Sequence, residues 1–325
     1  MKRFWIVDDE WEDYIAETNL LNEAHPGCEI RISSEVNQKD LEEFGSLADA
    51  LICQIGVKVD RHLLEMLKNC KIVSVYGAGY NNVDTSAARD LGIDVTNVPG
   101  YCAEDLADYV IAAIYRHNLN LGYYAEHVGN GLWGAQAVIK KPRRISQQKL
   151  FIAGFGNNGR RLAEKASGIG MGIMYYDYLE SAEMISVAQK TGAVRVSLDD
   201  GLAKADVVSV HLALTAETAG FFSEKTFARM KPNAHFINTS RGGIVNEPDL
   251  ISAVKNGVIA AATLDVIVNE PPKPDDPILH TENICVTPHI SYLSEDSLNE
   301  LKIRAAKNAS DTILGKNVPE VVNRR

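Results

Sequence analysis

A chain of 325 residues, 46% hydrophobic and 23% charged, is long enough for two separate cores and has the composition of an ordinary soluble protein. A net charge of −10 argues against a nucleic-acid or anionic-membrane surface. Five dispersed cysteines with no C-x-x-C or metal-type spacing, no bilayer-length apolar run, and acids as early as Asp8, Asp9 and Glu10 read as a cytoplasmic protein with reduced thiols and no signal peptide.

In chain order, Arg3 to Val7 reads as a first strand and Tyr14 to Ala24 as a helix, with a turn at Pro26-Gly27. Strand Cys28 to Ile32, helix Gln38 to Phe44 and strand Ala50 to Ile55 follow. Next come helix Asp60 to Leu67, strand Ile72 to Val75, helix Thr85 to Leu91 and strand Ile93 to Thr96. Alternating strands and helices predict a parallel sheet covered on both faces. Val98-Pro99-Gly100-Tyr101 breaks the rhythm. Glu104 to Asn118 then has the spacing of a long, mostly buried helix, and residues 129–144 are irregular and basic around Trp133. A second alternating series runs to strand Ile284 to Thr287. Within it Val194 to Ser197 and Ala205 to His211 read as strands, and Leu293 to Leu314 closes the chain as an amphipathic helix.

The second series opens on a fingerprint. Strand Leu150 to Ala153 leads into Gly154-Phe-Gly156-Asn157-Asn158-Gly159, which fits G-x-G-x-x-G, and helical composition follows. Its glycines would serve a tight turn, close approach of a pyrophosphate, and helix–strand packing, while free N–H groups at the helix start would hold the phosphates. Strand Ile173 to Tyr176 ends in Asp177, eighteen residues past Gly159. A carboxylate there accepts from both ribose hydroxyls and repels a 2′-phosphate, which favours NAD over NADP.

Three further strand ends carry reactive side chains: Arg241 after Phe236-Ile-Asn238, Asp265 and then Glu270 after Thr263-Leu264, and His289 after Val286-Thr287-Pro288. Ligands of open α/β sheets bind at such ends. Reduction of a 2-keto acid needs a cation for the carboxylate, which Arg241 offers as a planar fork, and a proton donor for the carbonyl oxygen, which His289 offers near neutrality. Glu270 would fix the histidine tautomer and keep it protonated. Singly, each of these residues has an equally good structural explanation; beside a dinucleotide fingerprint they read as a site. His211 reads as a packing or cofactor-side residue, and the other histidines as structural. Trp133 reads as a subunit contact.

These pieces, with Tyr76-Gly77-Ala78-Gly79-Tyr-Asn-Asn-Val-Asp84, Asn238-Thr239-Ser-Arg241-Gly-Gly, Leu264-Asp-Val266, Asn269-Glu-Pro-Pro272 and Thr287-Pro-His-Ile290, resemble the D-isomer-specific 2-hydroxyacid dehydrogenase family over essentially the whole chain. Within it the pattern resembles the phosphoglycerate dehydrogenase and C-terminal-binding-protein-like branch. The resemblance implies two doubly wound parallel-sheet α/β domains, a Rossmann cofactor domain (101–289) inserted into a flavodoxin-like substrate domain (1–100 plus 290–325). The cleft between them would be the ligand site. Arg241, Glu270 and His289 would be catalytic. Gly154, Gly156, Asn157, Asn158, Gly159, Asp177, His211, Thr239 and Asp265 would bind NAD, with Asp265 near the nicotinamide amide. Tyr76, Gly77, Ala78 and Gly79 would bind the substrate with Arg241. A homodimer built on the Glu104 helix and the Trp133 arm is implied, with a small 2-keto or 2-hydroxy acid as the partner molecule and neither nucleic acid nor membrane.

Departures from the family pattern are Ala213 in place of proline, Asn157-Asn158 in the glycine loop, and Ser291-Tyr292 after the histidine. The expected activity is NAD-dependent interconversion of a 2-keto acid and a D-2-hydroxy acid, with His289 as acid/base. The alternative is an NAD(H)-sensing, corepressor-like scaffold without turnover. For a phosphorylated substrate, Lys58 and Arg61 are the basic candidates.

Overall fold

The computed structural model describes residues 1–324. It divides into two compact units, one formed by Met1–Tyr101 with the C-terminal stretch from Ser294, the other by Cys102–Leu293. Among the described residues no helix is long and apolar enough to cross a membrane.

The first unit is a parallel sheet in the order β2-β1-β3-β4-β5, built from β1 (Arg3–Val7), β2 (Glu29–Ser33), β3 (Ala50–Gln54), β4 (Ile72–Tyr76) and β5 (Asp94–Thr96). Strands β3 and β4 are buried at every residue, as a sheet covered on both faces requires. The connecting helices are α1 (Ile15–Ala24), α2 (Gln38–Glu43), α3 (Arg61–Met66) and α4 (Thr85–Asp90). Their starts follow from local chemistry: Asn37, Asp60 and Asp84 each accept a backbone N–H of the first turn. The last helix of the chain, α12 (Glu295–Ile313), completes this unit by packing on α1, β3 and β4. Ser74 Oγ of β4 donates to Ala305 O at 2.8 Å within that contact.

The second unit starts with α5 (Ala103–Leu119) and α6 (Leu121–Val128). Its sheet comprises β6 (Lys149–Ala153), β7 (Gly172–Tyr176), β8 (Val194–Arg195), β9 (Val207–Val210), β10 (His235–Asn238), β11 (Ala261–Leu264) and β12 (Ile284–Val286). All seven are parallel, in the order β12-β11-β10-β9-β6-β7-β8. Between them run α7 (Asn157–Gly168), α8 (Ala182–Thr191), α9 (Leu198–Lys204), α10 (Glu224–Phe227) and α11 (Glu247–Lys255). The period of two along β6 divides the core: Phe151 and Ala153 join one cluster with Phe227 and Phe236, while Leu150 and Ile152 face α5 and α7 with Leu106, Val110 and Leu162.

Several elements differ from the sequence reading, three of them as follows. Helix α6, absent from the sequence reading, carries Leu121, Tyr124, Ala125 and Val128 at helical spacing but buries none of them. Strand β8 stops at Arg195 because Ser197 instead caps α9, its side chain accepting from Asp200 N–H. The strand expected at Ala205 to His211 shortens to Val207–Val210.

Candidate active site

Strand order reverses at β6, with β9 on one side and β7 on the other. Ligands of doubly wound sheets bind at the carboxyl ends of strands at such a point. There the glycines take distinct tasks. Gly154 has φ +98°, and a Cβ on it would stand 2.6 Å from His211 O. A Cβ on Gly159 would stand 2.2 Å from Gly154 O, so only glycine lets α7 close onto the loop. A Cβ on Gly156 would meet nothing within 4 Å. Helix α7 starts at Asn157 without a side-chain cap, so its first turn presents N–H groups and the positive end of the helix dipole.

Asp177, at the end of β7, is buried. Its Oδ2 accepts the Phe155 N–H at 2.7 Å and its Oδ1 the Leu179 N–H at 2.9 Å, which ties the acid to the glycine loop. On the neighbouring ends of β9 and β10, His211 Nδ1 and Thr239 Oγ1 are buried with no hydrogen-bond partner among the described residues. His211 Nε2 lies 2.8 Å from Ser209 Oγ, and burial pushes the imidazole down to about 4. Open space at Gly156, an uncapped helix start and two orphaned polar atoms fit a dinucleotide.

Strands β10, β11 and β12 are consecutive in the sheet, so their carboxyl-end loops stand side by side at strand spacing. The first loop carries Arg241. Asn238 shapes it, accepting the Ser240 N–H at 3.0 Å and donating to Arg241 O at 3.0 Å. Arg241 Nη1 donates to Ser240 O at 2.7 Å. The next residue, Gly242, packs so closely on the second loop that a Cβ would stand 1.9 Å from Ile267 C. That loop carries Glu270, whose Oε1 accepts the Ile267 N–H at 2.9 Å. The third carries His289, whose Nδ1–H donates to Glu270 Oε2 at 2.7 Å. Burial alone would raise Glu270, but the hydrogen bond and charge of His289 outweigh it, with the Ile267 amide and the Arg241 charge adding, and hold the carboxyl below its ordinary value. The imidazole keeps Nε2 for a ligand.

Residues 111–291 match the NAD binding domain of D-isomer specific 2-hydroxyacid dehydrogenases. The chain belongs to this family. Among relatives of the chain, the glyoxylate reductase of Thermococcus litoralis is 34% identical over 85% of this chain and 84% of its own length. The chloroplastic D-3-phosphoglycerate dehydrogenase 2 of Arabidopsis thaliana is 31% identical over 95% of this chain, which spans only 48% of that protein. The crystal structure of a glyoxylate reductase from Paecilomyes thermophila superposes with a TM-score of 0.84 at 26% identity, covering 99% of this chain and 97% of the other. The family's fold, two parallel-sheet α/β domains, is the fold of this chain, and NAD is its cofactor.

Several residues stand differently from the sequence reading. Tyr76 offers no side chain to a ligand: it is 1% exposed and its hydroxyl donates to Glu17 Oε1 at 3.0 Å. The backbone of Gly77, Ala78 and Gly79 remains, held by Val98 N–H donating to Gly77 O at 2.8 Å and Asn97 Nδ2 donating to Ala78 O at 2.6 Å. Asp265 turns its carboxylate onto Thr287 Oγ1 and the N–H groups of Ile290 and Ser291. Sequence reading missed that role, and missed Tyr109, whose hydroxyl lies 2.5 Å from Thr287 Oγ1.

Proposed function

We propose that this dehydrogenase interconverts a small 2-keto acid and the corresponding D-2-hydroxy acid with NAD. The observation that carries the reading is the His289–Glu270 hydrogen bond at 2.7 Å, one strand end from Arg241 in the unit that holds the NAD fingerprint. Arg241 holds the substrate carboxylate through its guanidinium fork. His289 donates a proton from Nε2 to the carbonyl oxygen in reduction and takes it back in oxidation. Glu270 keeps the ring oriented and compensates the imidazolium charge. The nicotinamide supplies or accepts the hydride. Asp177 binds the adenosine ribose, the amides of Gly156 to Gly159 bind the pyrophosphate, and His211 and Thr239 complete the cofactor contacts.

An unphosphorylated acid of the glyoxylate or hydroxypyruvate kind suits this chain better than a phosphorylated one. Lys58 and Arg61 are engaged elsewhere, with Asp60 at 3.1 Å and Asp90 at 2.7 Å. For a partner we propose a second copy of the chain on the arm after α5, where Leu121, Trp133 and Ile139 are 63%, 76% and 62% exposed.

The test is NADH oxidation with glyoxylate, hydroxypyruvate, pyruvate, phenylpyruvate and phosphohydroxypyruvate, each beside NADPH. Turnover of one acid with NADH supports the reading. Turnover with NADPH alone removes the assigned role of Asp177. Tight NADH binding with no turnover of any acid would favour a sensing scaffold.

A further inference from the structure

Asp265 is 1% exposed and follows β11. Its Oδ1 accepts from Thr287 Oγ1 at 2.6 Å and from the Ile290 N–H at 2.9 Å, and its Oδ2 accepts the Ser291 N–H at 2.7 Å. Its backbone carbonyl accepts the His289 N–H at 3.0 Å. One acid therefore grips the chain on both sides of His289. The backbone of His289 is left-handed there, with φ +56°, a conformation that a residue other than glycine keeps only when its neighbours hold it.

Thr287 has a single hydroxyl proton, and the Asp265 carboxylate takes it. That fixes the direction of the next bond: Tyr109, 2.5 Å away, is the donor to Thr287 Oγ1. Tyr109 stands on α5 and is partly buried. Burial, with the nearby Asp265 charge adding, outweighs the opposing Thr287 bond and pushes its hydroxyl up to about 12, so it stays a donor at neutral pH. The result is a directed chain from phenol to hydroxyl to carboxylate, polarised by the charge at its end. The carboxylate already has three donors without Tyr109. What the phenol adds is a fixed rotamer for Thr287 and a tie between α5 and the histidine loop.

We infer that Tyr109 is a positioning residue, which acts through Thr287 and Asp265 to set where the His289 imidazole stands. The inference rests on the reading of His289 as the acid/base. It is distinct from packing, because phenylalanine would keep the ring and lose only the hydroxyl.

The experiment compares Tyr109→Phe, Thr287→Val, Thr287→Ser, the double variant Tyr109→Phe/Thr287→Val, and His289→Gln in the full chain. Fluorescence titration should give NADH affinity unchanged in Tyr109→Phe. Its kcat should fall about tenfold, with a smaller change in KM for the keto acid, as for a displaced reacting group. Thr287→Val should match it, Thr287→Ser should lose less, and the double variant should be no worse than Thr287→Val, since both break one chain. Wild-type kcat in Tyr109→Phe beside an inert His289→Gln would overturn the positioning role and leave the acid/base reading standing. Turnover retained in His289→Gln would overturn both. Should the wild-type chain reduce none of the acids, the His289 Nδ1–H resonance of the NADH-bound protein decides. Broadening in Tyr109→Phe and Thr287→Val supports the tie, and an unchanged resonance overturns it.

Discussion

The Nδ1–H of His289 donates to Glu270 Oε2 at 2.7 Å, and the other carboxylate oxygen of Glu270 is held by the Ile267 N–H at 2.9 Å. Both oxygens are thus committed, which leaves the imidazole one orientation and one tautomer. Glu270→Gln keeps the shape and removes the charge. Its kcat should fall about tenfold or more, since a neutral partner no longer compensates the imidazolium charge. The Glu270 carboxyl lies below its ordinary value. Its contribution to stability is therefore complete above the unfolded-chain value and is lost as pH falls through the lower native one. A wild-type kcat in Glu270→Gln would remove Glu270 from the mechanism.

The glycine loop gives opposite expectations for two neighbouring substitutions. Nothing lies within 4 Å of a Cβ on Gly156, whereas a Cβ on Gly159 would meet Gly154 O at 2.2 Å. Gly156→Ala should leave the thermal midpoint near that of the wild type and weaken NADH binding, on the order of tenfold, by filling the space for the pyrophosphate. Gly159→Ala should destabilise the apoprotein by roughly 1–3 kcal/mol, because backbone must move. Calorimetry without cofactor and NADH titration separate the two. Equal loss of stability in both would show that the loop is merely crowded.

Much of this arrangement was legible from the chain itself. Alternating strands and helices, the fingerprint from Gly154 to Gly159, and the strand-end positions of Arg241, Glu270 and His289 are local patterns, and the sheet order β12-β11-β10 brings the last three loops side by side. What stayed hidden depends on side-chain direction. Tyr76 ends a strand beside a glycine loop and reads as a ligand contact, yet the pleat turns its ring inward to Glu17. Tyr109 lies among Leu106, Val110 and Ala113 and reads as one more core aromatic; only the tertiary contact with Thr287 separates it from them. Asp265 looks like a cofactor ligand in sequence because nothing local shows that the 287–291 segment folds back over it. Helix α6 is short, and its Leu121, Tyr124, Ala125 and Val128 stay out of the core.

On the proposed reading Asp177 serves both the glycine loop and the adenosine ribose, so its substitutions should separate the two. The carboxylate accepts the Phe155 N–H at 2.7 Å, which fixes the glycine loop before any ligand arrives. Asp177→Asn keeps an acceptor and loses the charge. The ratio of kcat/KM for NADH over NADPH should fall about tenfold, chiefly because repulsion of a 2′-phosphate disappears. Asp177→Ala should in addition raise KM for both cofactors, since the Phe155 amide is left without its acceptor. An unchanged cofactor ratio in both variants would place the ribose elsewhere.

The rings of His117 on α5 and His235 on β10 stack with centroids 4.4 Å apart and planes at 27°. Burial, reinforced by the charges of Lys140 and Arg116, pushes His117 down to about 4. Burial first, then His117, Arg116 and Lys140, drives His235 well below the ordinary value. Both rings therefore stay neutral in the folded chain where an unfolded chain already binds protons. Below an unfolded value of about 6.5 the unfolded state takes up protons that the native state refuses, so stability falls with pH down to about 4, where His117 also titrates. The loss from His117 alone should be on the order of 3 kcal/mol between pH 7 and pH 4. His117→Phe keeps an aromatic ring against His235 and cannot titrate. Urea unfolding at a series of pH values should show a shallower acid slope in this variant, with the midpoint at pH 5 moving closer to that at pH 7. An acid slope equal to that of the wild-type chain would mean that other groups govern the acid limb.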